Sequence, residues 1–360
     1  MAQIRLPNEG IYQILKLVAP GTSLREGLEN VLRAKTGALI IVGENPEVMA
    51  MVDGGFRIDT DFTPANLYEL AKMDGAIILS SDARRILYAN TMLLPDTSIP
   101  STETGIRHRT AERVARATGL LTISISQRRN IITLYKGSVK YPLRDIGVIL
   151  TKANQALQTM DKYQAVFRQA LSTLGVLEFE DMVNLTDVVS VLQRYEMVTR
   201  VVKEIAKYIV ELGAEGRLIR MQLEELVADA DEEGYLVIRD YLLQGEEANA
   251  EASLAAMRAL SSDELLDLTN FGRILGYGST ASALEQPVAS RGHRVLNKIP
   301  RLPMLIIENA VNAFGNLQAI INASIEELDE VDGIGEVRAR TIKEGLRRLQ
   351  QQLLIDRQRF

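Results

Sequence analysis

A change of hydrophobic period near Asp145 limits what this chain can fold into more than any other feature. Before it, short apolar runs bounded by glycines and turn residues alternate with stretches of helical spacing. After it, as far as about Leu260, apolar residues recur almost only at three and four. Ile146, Ile149 and Leu150 open that second pattern; Val188, Val191, Leu192, Val198, Val201 and Val202 continue it. The expected architecture is therefore multidomain: a mixed-sheet α/β domain over residues 1–145, then all-α structure. A chain of 360 residues has room for two or three domains with cores of their own.

Within the first part, helical spacing runs from Ile11 to Arg33, with a break at Pro20-Gly21 and Ser23 as N-cap before Leu24. Ala38–Val42, between Gly37 and Gly43, reads as a buried strand, and Asp53-Gly54-Gly55 as a turn. Thr63 caps a helix that starts at Pro64. Ala76–Leu79 and Ile86–Ala89 read as strands. Leu120–Ser126 and Ile131–Tyr135 form a hairpin about Gln127-Arg128-Arg129-Asn130. In the helical spine, residues 146–290, Gly175, Gly213 and Gly234 read as breaks between helices. Arg291–Pro303, with Gly292, Pro300, Pro303 and four basic residues, reads as a linker into a terminal domain, 291–360.

Composition removes several chemistries. With no cysteine there are no disulfides, thiolate nucleophiles, zinc–thiolate sites or iron–sulfur clusters. Only His108 and His293 are present, so a metal would be a hard ion on oxygen ligands, Mg²⁺ or Mn²⁺. A net charge of −6 confines nucleic-acid contact to a local basic face. No apolar run reaches membrane-spanning length, and the expectation is a soluble, cytoplasmic protein.

Two stretches carry the chemistry. In Gly105-Ile106-Arg107-His108-Arg109-Thr110 a glycine turn enters a helix that ends at Gly119. Unpaired N–H groups at a helix start attract anions, and two guanidiniums add planar donors suited to phosphate. About thirty residues earlier, Asp74-Gly75-Ala76 is a turn opening a buried strand. Near the C-terminus Ser324 caps a short helix through Leu328. Val331-Asp332-Gly333-Ile334-Gly335 then forms a hairpin before a basic helix running from Glu336 to Arg348. Glycines flanking an apolar plug let backbone N–H groups approach a phosphate, and the stretch resembles the helix-hairpin-helix module, which grips DNA backbone without reading bases. Its candidate DNA contacts are Gly333, Ile334, Gly335, Arg338, Arg340 and Lys343.

The pairing of Asp74-Gly75-Ala76 with Arg107-His108-Arg109-Thr110, the run Leu67–Ala76, the helical middle and the terminal hairpin together resemble the DNA integrity scanning family of diadenylate cyclases over almost the whole chain. The resemblance implies condensation of two ATP molecules into cyclic di-AMP and two pyrophosphates, in an octamer with sites between facing domains. It implies that Asp74 binds the metal and activates a ribose 3′-hydroxyl, and that Gly75 lets the backbone approach the nucleotide. Arg107, His108, Arg109 and Thr110 would hold phosphates, with His108 alternatively a neutral hydrogen-bond donor that fixes the loop. Ser126 would be a phosphate-side or metal-side contact and Leu93 an adenine-side apolar wall. Ile106 stands where some relatives have threonine, so only its backbone would contribute; Gln127 follows Ser126 where some have an acidic residue. The terminal module would bind branched or junction DNA and regulate synthesis. A DNA-binding scaffold that holds ATP without turnover is the alternative.

Overall fold

The computed structural model describes residues 10–228, 230–243 and 249–357. They fall into two compact units, one of residues 10–155 with 206–221 and one of 156–205 with 222–357.

The first unit is built on a sheet of eight strands. These are β1 (Ala38–Val42), β2 (Val52–Asp53), β3 (Phe56–Asp61), β4 (Ala76–Leu79), β5 (Arg85–Leu93), β6 (Leu121–Ser126), β7 (Ile131–Lys136) and β8 (Val139–Pro142). Their order is β2-β5-β4-β1-β6-β7-β8, with β3 also on β5. β1 and β4 pair in parallel and the other pairs are antiparallel, so the sheet is mixed as expected.

β1 and β4 are buried along their whole length because both faces of the sheet are covered. Ala38, Ile40 and Val42 face one core, shared with Leu24, Leu28 and Val31 of the helix Ser23–Arg33 and with Leu67. Leu39 and Ile41 face the other, shared with Ala111, Val114 and Ala115 of the helix Ile106–Thr118. That second face carries the basic loop.

Three sequence expectations need correction in this unit. Thr22, not Ser23, is the N-cap: its backbone is extended and its hydroxyl accepts from the Arg25 N–H at 3.2 Å. The strand starting near Ile86 continues to Leu93; the apolar run stops at Asn90, a turn-favouring residue that the strand accommodates at a positive φ of 53°. The edge strands β2, β3 and β8 carry charged or proline-bearing sequences without a full apolar face, and only register reveals them.

The second unit is helical. Gly175 and Gly234 do not break helices; they lie inside Ile146–Glu180 and Ala230–Tyr241. A β-carbon on Gly234 would fall 2.5 Å from the Tyr195 ring, so the glycine serves close helix packing. Gly213, which belongs to the first unit, does mark a break, opening a 3₁₀ turn.

Arg291–Pro303 is no linker either. His293–Asn297 is a helix, and the N–H groups of Gly292, His293 and Arg294 donate to the Asp240 carboxylate at 3.0, 2.7 and 2.9 Å. Arg294 is buried against Glu178, which also accepts from the Tyr241 hydroxyl at 2.8 Å. The stretch has a linker's composition, but Arg294 and Lys298 meet acids from more than fifty residues upstream, and Arg291 donates to the Arg239 and Leu242 carbonyls.

Candidate active site

Strand register gathers the candidate residues. Leu39 of β1 sits opposite Ala76 of β4, Ala38 opposite Ile125 of β6, and Ala76 opposite Thr91 of β5. Gly37 precedes β1, Asp74-Gly75 precede β4, Ser126 ends β6 and Leu93 ends β5, so these residues converge at one end of the sheet.

Gly75 has a φ of +97°, and a β-carbon on it would lie 2.8 Å from the Asn90 carbonyl carbon and 2.9 Å from the Thr91 oxygen. Only glycine fits that turn. It leaves the Asp74 carboxylate fully exposed, with Oδ1 3.7 Å from Nη2 of Arg107. Arg107 lies over Gly37: a β-carbon there would sit 2.0 Å from Nη1.

Gly105 is the N-cap of Ile106–Thr118, with extended backbone and no side-chain cap, and no acidic residue occupies the first turn. The helix start is thus left open for an anion. Ile106 is exposed and Thr110 half-buried. Arg109 donates from Nε to the Glu103 carbonyl at 3.3 Å. Ser126 accepts at Oγ from the Arg129 N–H at 3.2 Å, which pins the turn after β6. Leu93 is buried in the core beneath the loop helix, beside Ala111 and Val114.

His108 is buried, unlike the arginines on either side of it. Its Nδ1 lies 3.0 Å from the Tyr135 hydroxyl, which donates to Glu103 Oε1 at 2.9 Å. Glu103 also pairs with Lys140, and with Arg129 at 3.8 Å. Burial works to raise the Glu103 carboxyl, but hydrogen bonds from Lys140 and Tyr135 outweigh it and hold the group below the usual glutamate range. Burial lowers His108, keeping its imidazole neutral near pH 7. Gly37, Glu103, Tyr135 and Lys140 carried no motif-like signal in the sequence; their place follows from register and long-range contact.

A divalent ion fits these donors in one way. Among the described residues no three His, Asp or Glu side chains cluster. A metal here would rest on the exposed Asp74 carboxylate and on oxygens of a bound phosphate, a ligand set familiar for Mg²⁺.

The terminal hairpin is formed as the pattern implies. Ser324 and Glu327 make a reciprocal capping box at the start of Ile325–Asp329. Gly333 has a φ of +77°, and Ile334 plugs the core formed with Ile306, Leu328, Ala339 and Ile342. Gly335 is exposed, and its carbonyl accepts from the N–H groups of Arg338 and Ala339. Arg338 reaches back to the Gly333 carbonyl at 2.6 Å, and Arg340 pairs with Glu336 on the surface. Lys343 is occupied elsewhere, donating to the carbonyls of Ile321 and Ala323 at 2.6 and 2.7 Å. The helix runs on to Arg357, beyond the expected end at Arg348.

Comparison with known proteins finds three family models along the chain. Residues 25–139 match the DisA bacterial checkpoint controller nucleotide-binding region, 143–284 its linker region and 316–345 the helix-hairpin-helix motif. The chain is 60% identical over 347 residues to the DNA integrity scanning protein DisA of Carboxydothermus hydrogenoformans, covering 96% of this chain and 99% of that protein. The chain belongs to the DisA family. The DisA of Bacillus subtilis is 57% identical over 97% of this chain and 96% of its own length. In DisA terms, the nucleotide-binding region contains Asp74, Arg107 and the other residues at that end of the sheet, and the helix-hairpin-helix motif contains the Gly333–Lys343 stretch. No helix among the described residues is long and apolar enough to cross a membrane.

Proposed function

We propose that this chain is a diadenylate cyclase that condenses two ATP molecules into cyclic di-AMP and two pyrophosphates. Each phosphodiester forms when the 3′-hydroxyl oxygen of one ATP attacks the α-phosphorus of the other. The hydroxyl loses its proton, the bond to the β-phosphate oxygen breaks, and pyrophosphate departs. The observation that carries this reading is the Asp74 carboxylate, free to solvent, beside the Arg107 guanidinium and the open helix start. One group suits a metal or a hydroxyl proton; the other two suit the negative charge that builds on the leaving phosphates. Bound Mg²⁺ or Mn²⁺ would add charge neutralisation at the phosphate oxygens.

Each chain holds one ATP in this scheme, so the cyclic, symmetric product calls for two copies facing each other across a twofold axis. An octamer built from such pairs is the assembly expected. The terminal helix-hairpin-helix binds branched or junction DNA through phosphates and couples that binding to synthesis, in the cytoplasm.

Product analysis tests the reaction. Wild type and Asp74→Asn are incubated with ATP and either metal, and products are identified by mass. Cyclic di-AMP from the wild type alone supports the cyclase. ATP bound without product would instead favour a DNA-binding scaffold with a nucleotide ligand.

A further inference from the structure

We propose that Glu103 is a positioning residue for this site. Acting through the Tyr135 hydroxyl, it fixes the His108 ring with the proton on Nδ1 and the lone pair of Nε2 bare. The proposal rests on the cyclase reading and deepens it.

The geometry leaves little choice of proton positions. The Glu103 carboxylate, held ionised by Lys140 and Arg129, can only accept. The Tyr135 hydroxyl has one proton and gives it to Glu103 Oε1, 2.9 Å away. Toward His108 the same oxygen therefore presents lone pairs alone. Nδ1, at 3.0 Å, must carry the ring's proton. A neutral imidazole protonated on Nδ1 has no proton on Nε2, and Nε2 is a buried nitrogen without a hydrogen-bond partner among the described residues.

This separates His108 from its neighbours. A bare Nε2 repels a phosphate oxygen, so phosphate contacts fall to Arg107, Arg109 and the helix N–H groups. His108 instead fixes the loop from beneath, its ring held on the Tyr135 hydroxyl while the arginines on either side stay exposed. Glu103 also takes Arg109 Nε on its carbonyl, and Thr104 accepts from Arg129 at 3.4 Å. One short segment thus sets the ring and an arginine of the loop together. The arrangement is the carboxylate–histidine logic of oriented imidazoles, with a phenol inserted between the two groups.

The test uses the full-length protein and four variants: Tyr135→Phe, Glu103→Ala, the double variant and Glu103→Gln. Expected for each of the first two is a fall in kcat of about tenfold or more with ATP KM moving less than about threefold. The double variant falls no further than the worse single one, because the two groups act as a unit. Glu103→Gln, whose amide oxygen still accepts from Tyr135, recovers most of the loss. Additive losses, an unchanged kcat in Tyr135→Phe, or a parallel collapse of ATP affinity and melting temperature would overturn the proposal.

A readout that needs no turnover is solid-state ¹⁵N NMR of sedimented protein labelled at its two histidines. The wild type should show His108 protonated at Nδ1 and bare at Nε2, and Tyr135→Phe a mixture, with His293 unchanged. A bare Nδ1 in the wild type would sink the relay while leaving the cyclase standing. A wild type that makes no cyclic di-AMP would sink the cyclase, with the tautomer still measurable.

Discussion

At Gly37 the space a β-carbon would fill holds the Arg107 guanidinium, Nη1 lying 2.0 Å from that position. Gly37 is not among the glycines with positive φ, so alanine suits its backbone and the arginine is what must move. Gly37→Ala should leave the melting temperature within about 2 °C, the shift of a mild surface change, yet lower kcat/KM for ATP about tenfold through a misplaced guanidinium. Unchanged kinetics would show that Arg107 works from another position. Gly75 was legible in the sequence because a turn's chemistry is local: Asp before Gly before an apolar run states its own geometry. Gly37, Glu103 and Tyr135 were not, because each matters through a side chain that strand register or a loop brings to it. Glu103 and Tyr135 are 32 residues apart and meet at 2.9 Å.

Along the helix Glu336–Arg357 the basic side chains differ in what they touch within the chain. Lys343 satisfies carbonyls at the end of Leu317–Asn322, whereas Arg340 pairs with Glu336 on the exposed surface. Lys343→Met should cost about 1–2 kcal/mol of stability in denaturant melts and leave DNA affinity nearly unchanged. Arg340→Ala should do the reverse, weakening DNA uniformly across sequences and reducing the salt slope by about one. A Lys343 variant that loses DNA affinity with its stability intact would contradict this division. Sequence found the hairpin because capping box, glycines and apolar plug are all local. It misread Arg291–Pro303 because Asp240, which takes the backbone N–H groups of its helix start, and Glu178, which pairs with Arg294, lie far upstream. Likewise Gly234 looked like a helix break until the Tyr195 ring beside it explained the missing side chain.

For the molecule as a whole, stability and activity depend on buried charge in different ways. Arg294→Met leaves Glu178 buried without its cation and should destabilise the helical unit by about 3–5 kcal/mol; adding Glu178→Leu should restore much of that. Equal destabilisation by the single and double variants, read by chemical denaturation, would count against an ion-pair origin. Acid acts on the sheet unit. Glu103 and Glu112 both sit below the ordinary glutamate range: burial raises each, but hydrogen bonds, from Lys140 and Tyr135 and from Ser101 and Thr102, outweigh it. Their contribution is complete above about pH 4.3, the unfolded value, and is lost as pH falls through the lower folded values. Glu103→Gln should therefore flatten the fall of melting temperature below about pH 4.3 relative to wild type. The change of period at Asp145 was enough to forecast a mixed sheet followed by helices. The packing of the terminal helices with most of the spine in one compact unit was not legible, since it depends on contacts rather than pattern. The most direct test of the whole account is to follow pyrophosphate and cyclic di-AMP together from ATP and Mn²⁺ or Mg²⁺. The wild type should release two pyrophosphates for each cyclic di-AMP, and Asp74→Asn neither product. Equal output from the two proteins, or a linear dinucleotide as the final product, would contradict it.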